Sequence, residues 1–166
     1  MLDLLLKAEA ELPQLLLEGG WRNVHVIYDK PHVERLWRQW GENRISLHVI
    51  HPCDESESFF HPHPWPSAMR VLSGEYAMKV GFGEGLVTPP TASTLVLSPG
   101  SVYEMTHKDA WHSVIPKTVC WTVMVSGKPW EREMPQEPKE KQPSLDIDRI
   151  YEVLSFFQQK YPLVGG

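Results

Sequence analysis

At 166 residues the chain is the size of one domain, and a domain of that length buries roughly two thirds of its unfolded surface. A formal charge of −5 with no cluster of Lys and Arg excludes the electrostatic footprint of a nucleic-acid binder, and no apolar run approaches the roughly 20 residues that cross a bilayer. Cys53 and Cys120 are too few and too far apart for a disulfide framework or a zinc knuckle, which with the absence of a basic leader points to a cytoplasmic protein.

The 15 prolines argue for short elements broken by turns, because proline removes a backbone donor and is excluded from helix interiors and central strands. In chain order, Leu2, Leu5, Leu6, Leu12, Leu15 and Leu16 recur near a helical repeat and predict a short helix over 1–20, broken at Pro13 and stopped by Gly19-Gly20. "NVHVIYD" reads as a strand over 23–29. In "HVERLWRQWGENRISLHVI" the helical spacing of Val33, Leu36, Trp37 and Trp40 competes with a hairpin turning at "GEN", and the hairpin is preferred. Arg44, Ser46 and His48 alternate with Ile45, Leu47 and Val49, the pattern of a half-buried strand.

Further strands are expected from about Ala68 to Leu72, in "EYAMKVGFG", "TLVLSPG", "WHSVIP" and "TVCWTVMVSG", giving a β body over 23–127. Residues 128–143, "KPWEREMPQEPKEKQP", have almost nothing to bury and read as a solvated connector. Ile147, Ile150, Tyr151, Leu154 and Phe157 then recur at helical spacing over 144–161, with Ser144 placed as the N-cap. The whole is one domain, 1–166.

The chemistry concentrates in "HPHPWP". Strand positions 61 and 63 point the same way, so His61 and His63 present two imidazoles to one place, and the neighbouring prolines stiffen the backbone that carries them. Such a pair suits Fe(II), Zn, Ni, Cu or Mn. Trp65, Met69, Tyr103 and Trp111 flank it and are candidates to line an apolar pocket, although core filling explains each one singly. Arg70 lies in an otherwise apolar strand; it either needs a buried partner or faces outward in alternation with Met69 and Val71. His25, His32, His48 and His51 read as surface or core residues without a role.

These parts together resemble a cupin: the His61-x-His63 pair, "MRVLSG" ending at Gly74, "EYAMKVGFG", the Pro99-Gly100 turn and His112 in "WHSVIP", over about residues 42–126. The resemblance implies an all-β, cupin-type jelly-roll β-barrel with short N- and C-terminal helices and a metal bound inside. Where the family's first motif carries a glutamate ligand this chain has Ser67 and Ala68, which leaves His61, His63 and His112 as the metal set, with His107 the rival for the third place.

A three-histidine set is similar to that of the thiol dioxygenases, and "YEMTHKDAWHSV" is similar to their second motif. Their activating serine, histidine and tyrosine are unmatched, with Trp121, Val123 and Val125 at the nearest positions; Arg35, Arg38 or Arg44 is a candidate for the carboxylate clamp that an arginine supplies there. The resemblance implies a divalent metal ion, Fe(II) first, with Zn, Mn or Ni as alternatives, and a metal-binding cupin acting as an Fe(II)-dependent dioxygenase on a small polar substrate. The alternatives are a metal-dependent isomerase or lyase, with proton transfer by Tyr103, Glu104 or His107, and a non-catalytic ligand-binding cupin. Catalytic roles are thus expected for Tyr103 and His107, and substrate contacts for Trp65, Arg70 and Trp111. The expected partners are a small-molecule ligand, no nucleic acid, no membrane, and a possible homodimer.

Overall fold

The computed structural model describes residues 1–131 and 141–163. Its elements are α1 (Leu2–Glu18), β1 (Arg22–Val26), β2 (Val33–Trp40), β3 (Asn43–Ile50), β4 (His61–Pro62), β5 (Ser67–Ser73), β6 (Tyr76–Phe82), β7 (Ser93–Leu97), β8 (Val102–Met105), β9 (Ala110–Pro116), β10 (Cys120–Ser126) and α2 (Ile147–Lys160). The strands form a six-stranded sheet, β1-β2-β3-β10-β5-β8, and a four-stranded sheet, β4-β9-β6-β7, antiparallel throughout. This is the expected all-β body with a short helix at each end. Among the described residues no helix is long and apolar enough to cross a membrane.

Alternation along the strands divides the six-stranded sheet into two faces. Leu36, Ile45, Leu47, Val49, Ala68, Val123 and Val125 are buried together with Leu5, Ala8, Leu12, Leu15 and Leu16 of α1 and with Val153 and Phe157 of α2. The helices therefore cover one face, here called the outer one. Each fully buried side chain of this size contributes about 1.5–3 kcal/mol relative to exposure. Val71, Ile50 and Cys120, on the other face, pack with Tyr76, Met78 and Leu97 of the smaller sheet. The site lies between the two sheets.

Several local expectations change. The helix runs unbroken through Pro13, because the burial of its leucine stripe outweighs the one backbone bond that proline removes. Residues 45–50 are buried on both faces, with Ser46 and His48 about as inaccessible as Leu47 between them, since the smaller sheet covers the second side. β8 was not anticipated; four residues with two exposed left little pattern, and its pairing with β5 defines it. Asp146, not Ser144, caps α2, its carboxylate accepting from the Arg149 backbone N–H at 2.8 Å.

The connector expected over 128–143 is held at both of its described ends: the Trp130 N–H donates to the Pro64 carbonyl at 3.0 Å, and the Pro143 carbonyl accepts from the His25 N–H at 2.8 Å. Its middle, 132–140, lies outside the described residues.

Candidate metal centre and its pocket

The short strand β4 places the histidine pair. His61 lies directly opposite His112 of β9, and the His63 N–H continues the pairing by donating to the Ala110 carbonyl at 3.1 Å. The imidazoles become neighbours, with ring centres 4.8 Å apart for His61 and His112 and 4.9 Å for His63 and His112. Phe59 stacks on His61 at 4.9 Å with the planes within 6° of parallel, which fixes that ring's tilt.

Hydrogen bonds set the tautomers. The Phe59 carbonyl accepts from Nδ1 of His61 at 3.0 Å and the Trp65 carbonyl from Nδ1 of His63 at 2.6 Å. A carbonyl can only accept, so in the neutral rings the lone pair resides on Nε2. Burial keeps them neutral: it lowers His61, lowers His63 to about 4, and puts His112 well below the usual histidine range, where the neighbouring His61 and His63 add to the effect. Nδ1 of His112 is buried and has no partner among the described residues.

In donor chemistry and in two ring spacings this set suits a divalent ion. Two imidazoles that bind one ion through a ring nitrogen at ~2.1 Å and roughly at right angles have ring centres about 4.6–5.3 Å apart, which brackets both spacings found here. Carbonyl-held Nδ1–H groups are the usual outer support of such ligands. Among the described residues no group of three or more His, Cys, Asp or Glu side chains is arranged to hold a metal ion, so the three rings are neighbours and not a formed coordination site.

The rings open into a cavity of about 290 Å³ lined by Arg35, His48, Trp65, Met69 and Met124 among others, with Asp29 and Lys30 also on its wall. That volume suits a ligand of only a few heavy atoms. Of the three arginines considered from the sequence, Arg35 lines the cavity. Its Nε–H donates to Nε2 of His48 at 2.9 Å, and Nδ1 of His48 lies 3.2 Å from Thr122 Oγ1. Burial, followed by the nearby Arg44, lowers Arg35 to about 10. Burial puts His48 well below the ordinary histidine value, with Arg35 and His63 as lesser causes.

The other sequence candidates divide. Trp65 lines the cavity, and its buried Nε1–H has no partner among the described residues. Tyr103 stands behind the cavity wall, its hydroxyl 3.0 Å from that of Tyr76 and 3.1 Å from the sulfur of Met69; burial pushes it up to about 12. Trp111 is buried elsewhere, its Nε1–H donating to the Gly83 carbonyl at 2.9 Å. His107 is 65% exposed, beside Asp109. Arg70 faces α1, where its Nε donates to Glu9 at 2.6 Å, because β5 alternates and Met69 and Val71 take the inward positions. Glu104 pairs with the chain's amino terminus at 3.1 Å.

His48 and Asp29 line this cavity and escaped the sequence reading, as did Thr122, which stands behind His48. A signal for the first existed. A two-residue connection at Gly41 and Glu42, with Gly41 at φ 58°, pairs Trp40 with Asn43, and counting back along both strands sets Arg35 opposite His48. On β10, where Trp121, Val123 and Val125 were compared with the activating residues of thiol dioxygenases, the inward positions belong to Cys120, Thr122 and Met124.

No protein-family model matches the sequence, and none of the curated proteins matches it either. Among solved structures, a crystal structure of HppE with Fe(II) superposes with a TM-score of 0.50 at 16% identity, over 64% of this chain and 56% of that one. Hydroxypropylphosphonic acid epoxidase from S. wedmorenis gives a TM-score of 0.50 at 13% identity, over 66% and 56%. The chain thus spans little more than half the length of these two structures. At such identities the likeness concerns the fold, and it agrees with the strand arrangement: this is a cupin-like β fold with a helix at each end and three neighbouring imidazoles between its sheets.

Proposed function

We propose that the chain is a metal-binding cupin that holds a divalent ion, Fe(II) first, on His61, His63 and His112 and acts on a small anionic substrate as an Fe(II)-dependent oxygenase. The observation that carries this reading is the three-imidazole cluster at the wall of a small cavity, with two rings held by carbonyls so that Nε2 is free. A bound Fe(II) would supply a redox-active Lewis acid with coordination positions left open by a three-histidine set. Three neutral ligands would not compensate the ion's charge, and Arg35 and Lys30 add positive charge to the same cavity against the one carboxylate of Asp29. Both favour an anion.

The roles of this chain's residues follow from their places. Arg35 binds the negative group, Trp65 offers an indole N–H, and Met69 and Met124 exclude water from the apolar part of the wall. An isomerase or lyase reading loses support because Tyr103, Glu104 and His107 are not among the residues lining the cavity. Free cysteine is expected to be a poor substrate, since the inward side of β10 carries Thr122 and Met124 and no tyrosine or histidine.

The test is elemental analysis of protein purified without added metal, followed by oxygen uptake with a panel of small carboxylates, phosphonates and thiols. Near-stoichiometric iron with oxygen uptake on an anionic compound is the expected result. Zinc, manganese or nickel without oxygen uptake would favour the isomerase or lyase alternative, and no stoichiometric metal would favour a ligand-binding protein.

A further inference from the structure

We infer that His48 is a positioning residue, which holds Arg35 by Nε so that its two terminal nitrogens are the ones that meet the negative group of a small ligand. The inference deepens the reading of the cavity as an anion site and does not need the ion.

Arg35, His48 and Thr122 are direct cross-strand partners on β2, β3 and β10, so their side chains form one row across the inward face. The row has a direction. A guanidinium only donates, so Nε2 of His48 carries the lone pair that accepts from Arg35 Nε, and the proton sits on Nδ1, facing Thr122 Oγ1. His48 is 2% exposed, and burial keeps it in the neutral form that this chain of donors requires.

Of the five N–H groups of the guanidinium, the one on Nε is thereby committed. An approach that uses Nε together with one terminal nitrogen is closed, and the remaining fork is end-on, through Nη1 and Nη2. Among the described residues no carboxylate pairs with Arg35; the groups that act on it are Arg44 and His48. A half-buried cation with a neutral partner leaves its charge to be met by what enters the cavity. The two terminal nitrogens match a carboxylate or a phosphonate, the shared chemistry being a small organic anion with at least two equivalent oxygens.

The experiment is calorimetric titration of the full chain with propionate and with methylphosphonate, with propionamide as the uncharged counterpart of propionate. One or both anions should bind, and propionamide about tenfold or more weaker. His48→Leu should weaken the anion about tenfold by releasing the guanidinium, whereas His48→Gln, whose amide oxygen can still accept from Nε, should retain most of the affinity. Thr122→Val, which removes only the far end of the row, should give a smaller loss and provides the test if His48→Leu does not fold.

A structural role alone would not move the Arg35 Nε–H resonance in ¹⁵N-resolved spectra, which should be slowly exchanging in the wild type and in His48→Gln and lost in His48→Leu. Unchanged anion affinity in folded His48→Leu, or propionamide binding as well as propionate, overturns the inference. Metal content measured on the same samples separates the two readings: this pattern in a chain without stoichiometric metal supports the Arg35–His48 pair independently of the ion.

Discussion

The two faces of the six-stranded sheet are built from the same strands and treat charge in opposite ways. On the outer face each charge has an answer from a helix or its boundary. Glu34 accepts from Arg149 of α2 at 2.7 Å, Arg70 donates to Glu9 of α1, and Arg38 donates to the Leu15 and Gly19 carbonyls at the end of α1 at 3.0 and 2.9 Å. On the inner face, Arg35, one residue from Glu34, has a neutral imidazole for a partner, and three more imidazoles stand across the cavity. Paired charges there would fill the cavity with salt bridges. A hydrogen-bonded row with a neutral imidazole instead leaves the Arg35 cation and ring nitrogens for a ligand, at the cost of burying polar groups that the fold must stabilise elsewhere.

That contrast can be broken from either side. The largest stability effect is expected from the outer face: Phe157→Ala should destabilise by about 3–5 kcal/mol in urea unfolding, because Phe157 is fully buried between α2 and the sheet. Anion affinity of the molecules that remain folded should not change.

The inner face should appear next, in the pH dependence of the metal-free chain. His63 is held down to about 4, chiefly by burial, while in the unfolded chain it titrates near the ordinary histidine value of about 6.5. The unfolded state therefore takes up the proton first as pH falls, so the stability that His63 contributes is complete above about pH 6.5 and is lost between there and about pH 4. The loss is on the order of 3 kcal/mol for this group, and His48 and His112, shifted in the same direction, steepen the slope. Urea midpoints at a series of pH values check this; an outer-face variant should lower the whole curve without changing its slope in that window.

The smallest of these effects concerns Arg70. Replacing it by Ala removes a partly buried ion pair, worth about 1–3 kcal/mol, and should leave both metal content and anion binding unaltered, since Arg70 belongs to the helix side. A loss of anion affinity in that variant would mean that the two faces are not independent.

How much could be read in advance follows the same division. The strands and terminal helices were legible because the leucines of α1 and the alternation of Ile45, Leu47 and Val49 express burial directly. The neighbourhood of His61 and His63 was legible from strand parity; that of His112 rested on the resemblance, because nothing local brings β9 beside β4. Arg35 cannot be separated from Arg38 and Arg44 without the register of the β2–β3 hairpin, and alternation alone makes His48 one more polar position on a half-buried strand. Arg70 misled for the converse reason, since its partner Glu9 lies 61 residues away on a helix whose docking the local pattern does not encode.

The central claim is that His61, His63 and His112 together hold a divalent ion. X-ray absorption at the edge of whichever metal the purified protein carries, or of added zinc if it carries none, tests it most directly. The account predicts three imidazole nitrogens about 2.0–2.2 Å from the metal, falling to two in His112→Ala and left at three in His107→Ala. A metal surrounded by oxygen alone, or a nitrogen count unchanged by His112→Ala, would contradict it.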